Sequence, residues 1–482
     1  MRWMAYLGAL LAAAASNVSG QQLPDLGGAS DAALPYQLER RIGESIMREV
    51  RAREASYLDD PEIAAYLGDL GARLAQATPG ARQDFEFFAV RDPAVNAFAL
   101  PGGFVGVHSG LVTTAETESE LASVLAHEIA HVSQRHIARM IAQEKQMQLP
   151  SMIALAAAIL LGASRPDLAV GAAAAAQGVP IQQQLGYSRD FEREADRVGL
   201  QALSGAGFDA RAMSVFFEKL QRATRVSDDG SVPGYLRTHP LTTERIADMQ
   251  NRAASLPYRQ RLDSLEFHLV RAKLRAESRD ARDAVAQFES AVRDQRYASE
   301  AAARYGLVTA LVRARRAREA EAELSKLRAT RAASPMLETL AARVRQALGD
   351  SQGALAILAE AKARYSYWRP LAYAQVSALL DAGRNGEALA ALQEPLRLDP
   401  RDARLYALQA KTYAVLGKRL LQHQAQAEAY ALQGSLPAAI EQLQLAQSAG
   451  DGDFYQLSVV EARLKDLRGR HAQELRDERG RR

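Results

Sequence analysis

Two histidines four residues apart, with a glutamate directly after the first, form the stretch His127-Glu128-Ile129-Ala130-His131. On a helix these histidines sit one turn apart on one face, where both imidazoles can bind a Zn²⁺ ion. Glu128 then stands beside the metal, able to take a proton from a water molecule held there. The flanking Leu121, Val124, Leu125, Ile129 and Val132 are apolar, so this helix is expected to be buried. Buried histidines and a buried carboxylate need partners, which a metal supplies.

A zinc hydrolase takes three protein ligands and keeps one position open for water. The stretch Tyr187-Ser188-Arg189-Asp190-Phe191-Glu192-Arg193-Glu194-Ala195-Asp196 opens a helix in which Glu192 and Asp196 face the same way. Glu192 suits the metal, and Asp196 suits the N–H of a ligating histidine. Spacing alone favours Glu192 over Glu194 without excluding the latter, which is expected to point into solvent. His136 lies five residues past His131, whereas metzincins carry their third histidine six past, with a glycine where Gln134 stands here. On a continuous helix His136 would be turned about 140° off the ligand face, so it reads as a surface or second-layer residue. His108 either lines the cleft or packs inside. His268, His423 and His471 read as solvated or packed side chains.

The elements that must hold these groups follow from periodicity. Residues 36–77 carry two helical patterns. Phe85–Val90 reads as a strand, and Asn96–Leu100, the turn Pro101-Gly102-Gly103 and Phe104–His108 read as a hairpin. The helix of the metal motif is predicted over 118–145, with further helices over 190–203 and 207–223. The segment 149–183 is almost uncharged. Its apolar runs, Met152–Ala163 and Leu168–Ala176, fall short of the roughly 20 residues that cross a bilayer. A buried helical hairpin is the favoured reading, with a flap resting on a membrane surface or a partner as the alternative.

Past Leu256-Pro257 the chain is helical and repetitive. Ala320, Ala354 and Ala388 lie 34 apart, as do Gly349, Gly383 and Gly417, and Pro400 follows Gly383 by 17. Ala284 with Phe288 marks a first unit, and Ala427, Tyr430, Gly434 and Ala439 a last one. That period is the tetratricopeptide signature. Gly417 and Gly434 are only 17 apart, so one helix there is expected to serve two pairs.

Lys plus Arg number 60 and Asp plus Glu 57, and no basic run interleaved with aromatics occurs, so no nucleic-acid partner is expected. Cysteine is absent, which excludes disulfides, thiolate metal sites, thiol nucleophiles and a lipid anchor on cysteine. Arg2, the apolar run Trp3–Ala15 and the small residues Val18 and Gly20 read as a secretory signal peptide over 1–20, an uncleaved anchor being the weaker alternative. The predicted organisation is a signal peptide (1–20), a zinc metallopeptidase domain (21–257) and a tetratricopeptide α-solenoid (262–475), in a mostly α protein whose catalytic domain is α+β with a small sheet. A secreted, cysteine-free zinc protein fits a bacterial periplasm.

HEIAH, the later EREAD of residues 192–196, NAFALPGG at 96–103 and Thr238-His239-Pro240 with Arg245 together resemble the gluzincin metallopeptidases related to the CAAX prenyl proteases. The signal peptide and C-terminal repeats narrow the resemblance to the periplasmic β-barrel assembly-enhancing proteases. It rests on motifs from residue 36 to about 250, and on architecture alone beyond. It implies one zinc per chain on His127, His131 and Glu192, Asp196 behind them, His239 as a removable plug over the metal, and Arg245 near the site. Unlike membrane-embedded relatives, this chain has no set of spanning helices, which implies a soluble, membrane-associated form.

The expected reaction is peptide hydrolysis with Glu128 as base. An extended substrate is expected to add to the strand Phe104, Val105, Gly106, Val107 and His108, which reads backbone rather than sequence and suits unfolded segments. The repeats offer a concave surface to a protein partner. The resemblance implies misfolded or stalled outer-membrane proteins as substrates and the barrel assembly machinery as partner. A chaperone or adaptor with a self-inhibited zinc site is the competing reading. A polysaccharide hydrolase is disfavoured, since aromatics make up only 6% of the chain.

Overall fold

The structure, a computed structural model, describes residues 34–143, 189–226 and 234–479. The expected signal peptide and the apolar segment 149–183 lie outside the described residues.

Helix α1 (Tyr36–Arg53) leads to strand β1 (Tyr57–Leu58) and helix α2 (Pro61–Gln76). The Asp60 carboxylate accepts the N–H groups of Glu62 and Ile63 and Pro61 opens the first turn, which fixes the start of α2. Strands β2 (Glu86–Val90), β3 (Ala97–Leu100) and β4 (Phe104–His108) complete a four-stranded sheet of order β1-β2-β4-β3. The β3–β4 hairpin turns through Gly102 and Gly103, both at positive φ; a side chain on Gly102 would come within 2.5 Å of the Arg40 Cα. β4 pairs parallel with β2 and antiparallel with β3. Both its edges are therefore taken, and the strand expected to receive substrate is internal. The sheet edge at this side is β3. The hairpin pattern predicts the β3–β4 pair, but the parallel pairing of β2 is a long-range choice that local pattern does not encode.

After α3 (Ser109–Thr114) comes α4 (Glu118–Ser133), which carries the metal motif and is buried along its whole length. Thr117 caps it by accepting the N–H of Glu120. The helix predicted to 145 is broken: Arg135 adopts φ 55, and α5 (His136–Gln143) begins a new direction. The cost of a left-handed non-glycine residue is met by its side chain, which donates to the Leu34 carbonyl, pairs with Glu39 at 3.3 Å and lies 3.9 Å over the Tyr36 ring. Helices α6 (Arg189–Gly205), α7 (Arg211–Val226), α8 (Gly234–Thr238) and α9 (Thr243–Ala254) follow.

The repeats are helix pairs: α10 (Leu265–Glu277) with α11 (Ala281–Arg293), α12 (Glu300–Arg313) with α13 (Ala317–Ala329), α14 (Pro335–Ala347) with α15 (Ser351–Arg364), α16 (Arg369–Asp381) with α17 (Asn385–Leu398), α18 (Ala403–Val415) with α19 (Arg419–Leu432), and α20 (Leu436–Gln447) with α21 (Phe454–Arg479). Ala284, Ala320, Ala354 and Ala388 are all fully buried, which is why a small residue recurs. Gly349, Gly383 and Gly417 follow the first helices of their pairs at positive φ, as helix-ending glycines do. α19 packs as extensively on α20 as on α18, the double role expected from the 17-residue spacing. No helix among the described residues is long and apolar enough to cross a membrane.

The chain is mostly α with an α+β catalytic region and a helical repeat region, as predicted. The expected boundary near Pro257, however, is not a break in packing. One buried apolar cluster runs from Leu58 through α4 and the early repeats to Leu405. At the seam the Lys273 ammonium lies 2.5 Å from Asp60 and 2.6 Å from Glu62, and the Thr339 hydroxyl donates to Glu62. Ser264 donates to the carboxylate of Glu118, the first residue of α4, whose N–H is held by Asp263.

Candidate metal centre

α4 and α6 cross at Gly199, where an added Cβ would lie 3.1 Å from the His127 backbone nitrogen. This close approach brings Glu192 and Asp196 to the two histidines. One ligand atom from each of His127, His131, Glu192 and His239 can be chosen so that all four lie within 4.8 Å of one another, and all four residues are buried.

The Nε2 atoms of His127 and His131 are 3.0 Å apart. Glu192 oxygens lie 3.5 Å from the first and 3.4 Å from the second. His239 Nδ1 is 3.4 Å from His127 Nε2 and 2.9 Å from Glu192 Oε1. Donors at zinc bond lengths around a tetrahedral ion would be about 3.3 Å apart, so three imidazole nitrogens and a carboxylate oxygen fit such an ion. Both Glu128 oxygens are buried without a hydrogen-bond partner, with His239 Nε2 3.4 Å from Oε1. A carboxylate aimed into the site in this way suits a group absent from the protein atoms.

The electrostatics agree. Burial pushes His127 down, but Asp196 and Glu192 beside it reverse this and raise it to about 9. Burial holds His131 well below its ordinary value, despite Glu192, and the neighbouring His127 adds to the effect. Burial raises Glu192, yet His239, His127 and His131 outweigh it and keep the carboxyl ionised. Glu128 goes the other way, raised by its burial.

Behind the donors, His127 Nδ1 is 3.1 Å from Asp196. Arg245 grips Asp196 through Nε at 2.7 Å and Nη2 at 2.8 Å, reaches Glu192 at 2.8 Å and donates to the Pro240 carbonyl at 2.7 Å. Arg245 thus ties both acids of α6 to the loop carrying His239; these contacts are those of a positioning group. His108 is not in the cluster. It is buried against Asp92 at 3.8 Å and edge-on to Phe98, the interior alternative. Glu194 is not simply solvated either: it pairs with Arg139 at 2.7 Å and meets His136 at 3.3 Å.

Two residues escaped sequence reasoning. His136 is fully buried with Nδ1 2.8 Å from His131 Nδ1; the helix break at Arg135, invisible to a helical-wheel argument, folds it back. Tyr235 stacks on His239 at 4.7 Å and is edge-on to His127, with its hydroxyl buried and without a hydrogen-bond partner. Its one signal is the four-residue spacing to His239.

Residues 61–253 match peptidase family M48. The chain is 31% identical to the β-barrel assembly-enhancing protease of Escherichia coli strain K12 over 93% of its own length and 92% of that protein. A putative β-barrel assembly-enhancing protease of Vibrio cholerae is 40% identical over 52% of each chain. A mitochondrial metalloendopeptidase OMA1 of Arabidopsis thaliana is 30% identical over 46% of this chain and 42% of its own. With a relative of that identity along nearly the whole chain, and the family motifs converging on a donor set that fits a metal, the chain belongs to peptidase family M48 and is a metalloendopeptidase.

Proposed function

We propose that the metal is one Zn²⁺ held by His127, His131 and Glu192, and that the chain is a periplasmic endopeptidase acting on misassembled or unfolded outer-membrane proteins. The observation that carries the site reading is the convergence of the four buried donors. Zinc bound there would supply Lewis acidity toward water and the scissile carbonyl. Glu128 takes the proton of the attacking water and passes it to the leaving amine; its burial, which raises its proton affinity, suits both transfers. Asp196 holds His127 in the tautomer that offers Nε2, and Arg245 keeps Asp196 and Glu192 in place. An extended substrate adds to the edge of β3, residues 97–100. The backbone of Ala99 in that strand lies beside Glu128, so a peptide paired there runs beside the base.

In this reading residues 1–20 are a signal peptide, 21–257 carry the chemistry, and the repeats from 262 to 475 bind a partner, the barrel assembly machinery named by analogy with the relatives. His239 acts as a plug. Its Nδ1 fills the fourth donor position, which a catalytic zinc site keeps open for water, and the plug helix α8 is tied to the chain before β3 by the Tyr235 N–H to Val95 carbonyl bond. That same fourth donor favours the second reading, a chaperone or adaptor with a silent site.

The test is zinc content after dialysis against a chelator, with cleavage of an unfolded outer-membrane protein in parallel. Glu192→Gln should lose the metal and Glu194→Gln should keep most of it. Equal zinc in both variants would defeat the ligand assignment. Full outer-membrane assembly in cells by a variant without protease activity would favour the chaperone.

A further inference from the structure

Each histidine of the α4 motif leads through hydrogen-bond contacts to an acid and an arginine, directly for His127 and by way of His136 for His131. His127 turns Nδ1 to Asp196, and Asp196 is held by Arg245. His131 turns Nε2 to the donor cluster and Nδ1 to His136 Nδ1 at 2.8 Å. His136 turns Nε2 to Glu194 at 3.3 Å, and Glu194 is held by Arg139 at 2.7 Å. The His136 ring is clamped flat on Phe191, with centroids 4.6 Å apart and planes 14° apart, and Arg139 covers the other part of that assembly, 4.6 Å from the Phe191 ring.

The proton count along this row has one solution for a metal-loaded site. Two imidazole nitrogens 2.8 Å apart share one hydrogen bond, so one donates and the other accepts. If His131 Nε2 gives its lone pair to a metal, the His131 proton is on Nδ1 and is donated to His136 Nδ1. His136, neutral, then carries its own proton on Nε2 and donates it to the Glu194 carboxylate. Flipping either tautomer leaves two lone pairs or two N–H groups facing each other at one of the contacts.

We infer that His136, with Glu194 behind it, is a positioning residue that fixes His131 in the tautomer and ring orientation that present Nε2 to the metal. The inference rests on the reading of His131 as a ligand. Here the second histidine has a support of its own, made possible by the turn at Arg135 that sends α5 back beside α4. Outer partners of this kind change metal affinity by about 10–100-fold when removed.

The experiment is zinc affinity by competition with a chromophoric chelator on the purified full chain, with thermal melting of the metal-free form recorded for each variant. His136→Leu removes the acceptor and should weaken zinc by about 10–100-fold while the metal-free melting point moves little. His136→Asn presents an amide oxygen close to where Nδ1 lies and should restore affinity to within a few-fold of wild type. His136→Gln carries its amide further out and should not. A merely structural His136 would move the melting point in all three and leave zinc affinity following stability. Wild-type affinity in the leucine variant overturns the inference. Should that variant fail to fold, the asparagine and glutamine variants decide, and equal zinc affinity in those two overturns it. If the wild-type chain itself holds no zinc, or His131→Ala binds as tightly as wild type, the ligand reading has failed rather than the role of His136.

Discussion

Around the metal centre the interior holds His127, Glu128, His131, His136, Glu192, Asp196, His239 and Arg245, each no more than 4% exposed. Along the repeats the corresponding interior is Ala284, Ala320, Ala354 and Ala388 with leucines around them, and the charged side chains lie mainly on the surface. The first interior accepts the cost of desolvating charges, which is tolerable only when each is paired, and its pairs point at one spot. The second is built for close helix contact and for repetition. Function is therefore to be sought where burial and charge coincide, and the repeats depart from that rule at the Lys273–Asp60–Glu62 seam against α2 and at Glu323, which is paired with Arg304 and Lys326.

The sharpest separation of the two interiors should come from Glu128→Gln. The base is lost, so peptide cleavage should fall by about 10²–10⁴-fold. Zinc content and melting temperature should hold, because a buried oxygen without a hydrogen-bond partner loses little on becoming an amide. Cleavage at the wild-type rate would sink the mechanism, and loss of zinc would make Glu128 a ligand instead.

The seam tests whether the two regions are separable at all. Lys273→Met leaves Asp60 and Glu62 facing each other without their buried cation, and removing one partner of such a pair costs about 3–5 kcal/mol. Urea unfolding of the full chain should show this loss in a single transition. A loss confined to a separate transition for the repeats would mean that they pack as an independent unit. Cutting the chain at 262 should be more damaging still, since it also removes Asp263 and Ser264 from the start of α4.

Within the repeats, Ala354→Leu should cost about 1–3 kcal/mol by overpacking a fully buried site, with zinc affinity unchanged. A drop in zinc affinity would show that strain in the repeats reaches the metal centre.

How far the sequence foretold this follows from the range of each signal. The HEIAH spacing, the β3–β4 turn and the alanine and glycine recurrence are local, and all are found. Glu192 over Glu194 needed the family resemblance, because helical phase alone does not say which neighbour crosses the helix. The break at Arg135 was missed since a left-handed arginine is stabilised by Leu34, Glu39 and Tyr36, some hundred residues away in the chain. With it went the role of His136. The internal position of β4 was missed because parallel pairing with β2 has no local mark. The seam has no local mark in the sequence, because Lys273 and Glu62 lie 211 residues apart.

The smallest effect expected is also the one that distinguishes two uses of the same side chain. His239 approaches the metal donors with Nδ1, 2.9 Å from Glu192, while its Nε2 lies 3.4 Å from Glu128. Held there, it occupies the place where water must bind, and it pairs with the base that must be left open to act. Its restraints are modest: the Tyr235 stack, the short helix α8 and the Arg245 bond to the Pro240 carbonyl. If the plug is displaced at an energy of about 1 kcal/mol, removing it raises the active fraction about six-fold. His239→Ala should accordingly speed cleavage of an unfolded outer-membrane protein, or of the chain itself, by a few-fold, with zinc still bound by the other three donors. A displaced His239 could instead donate to the oxyanion formed on the scissile carbonyl, in which case the same substitution slows cleavage while zinc is retained. Steady-state rates with zinc content measured on the same samples separate these: faster cleavage supports a plug, and slower cleavage at equal zinc rejects it in favour of the catalytic role.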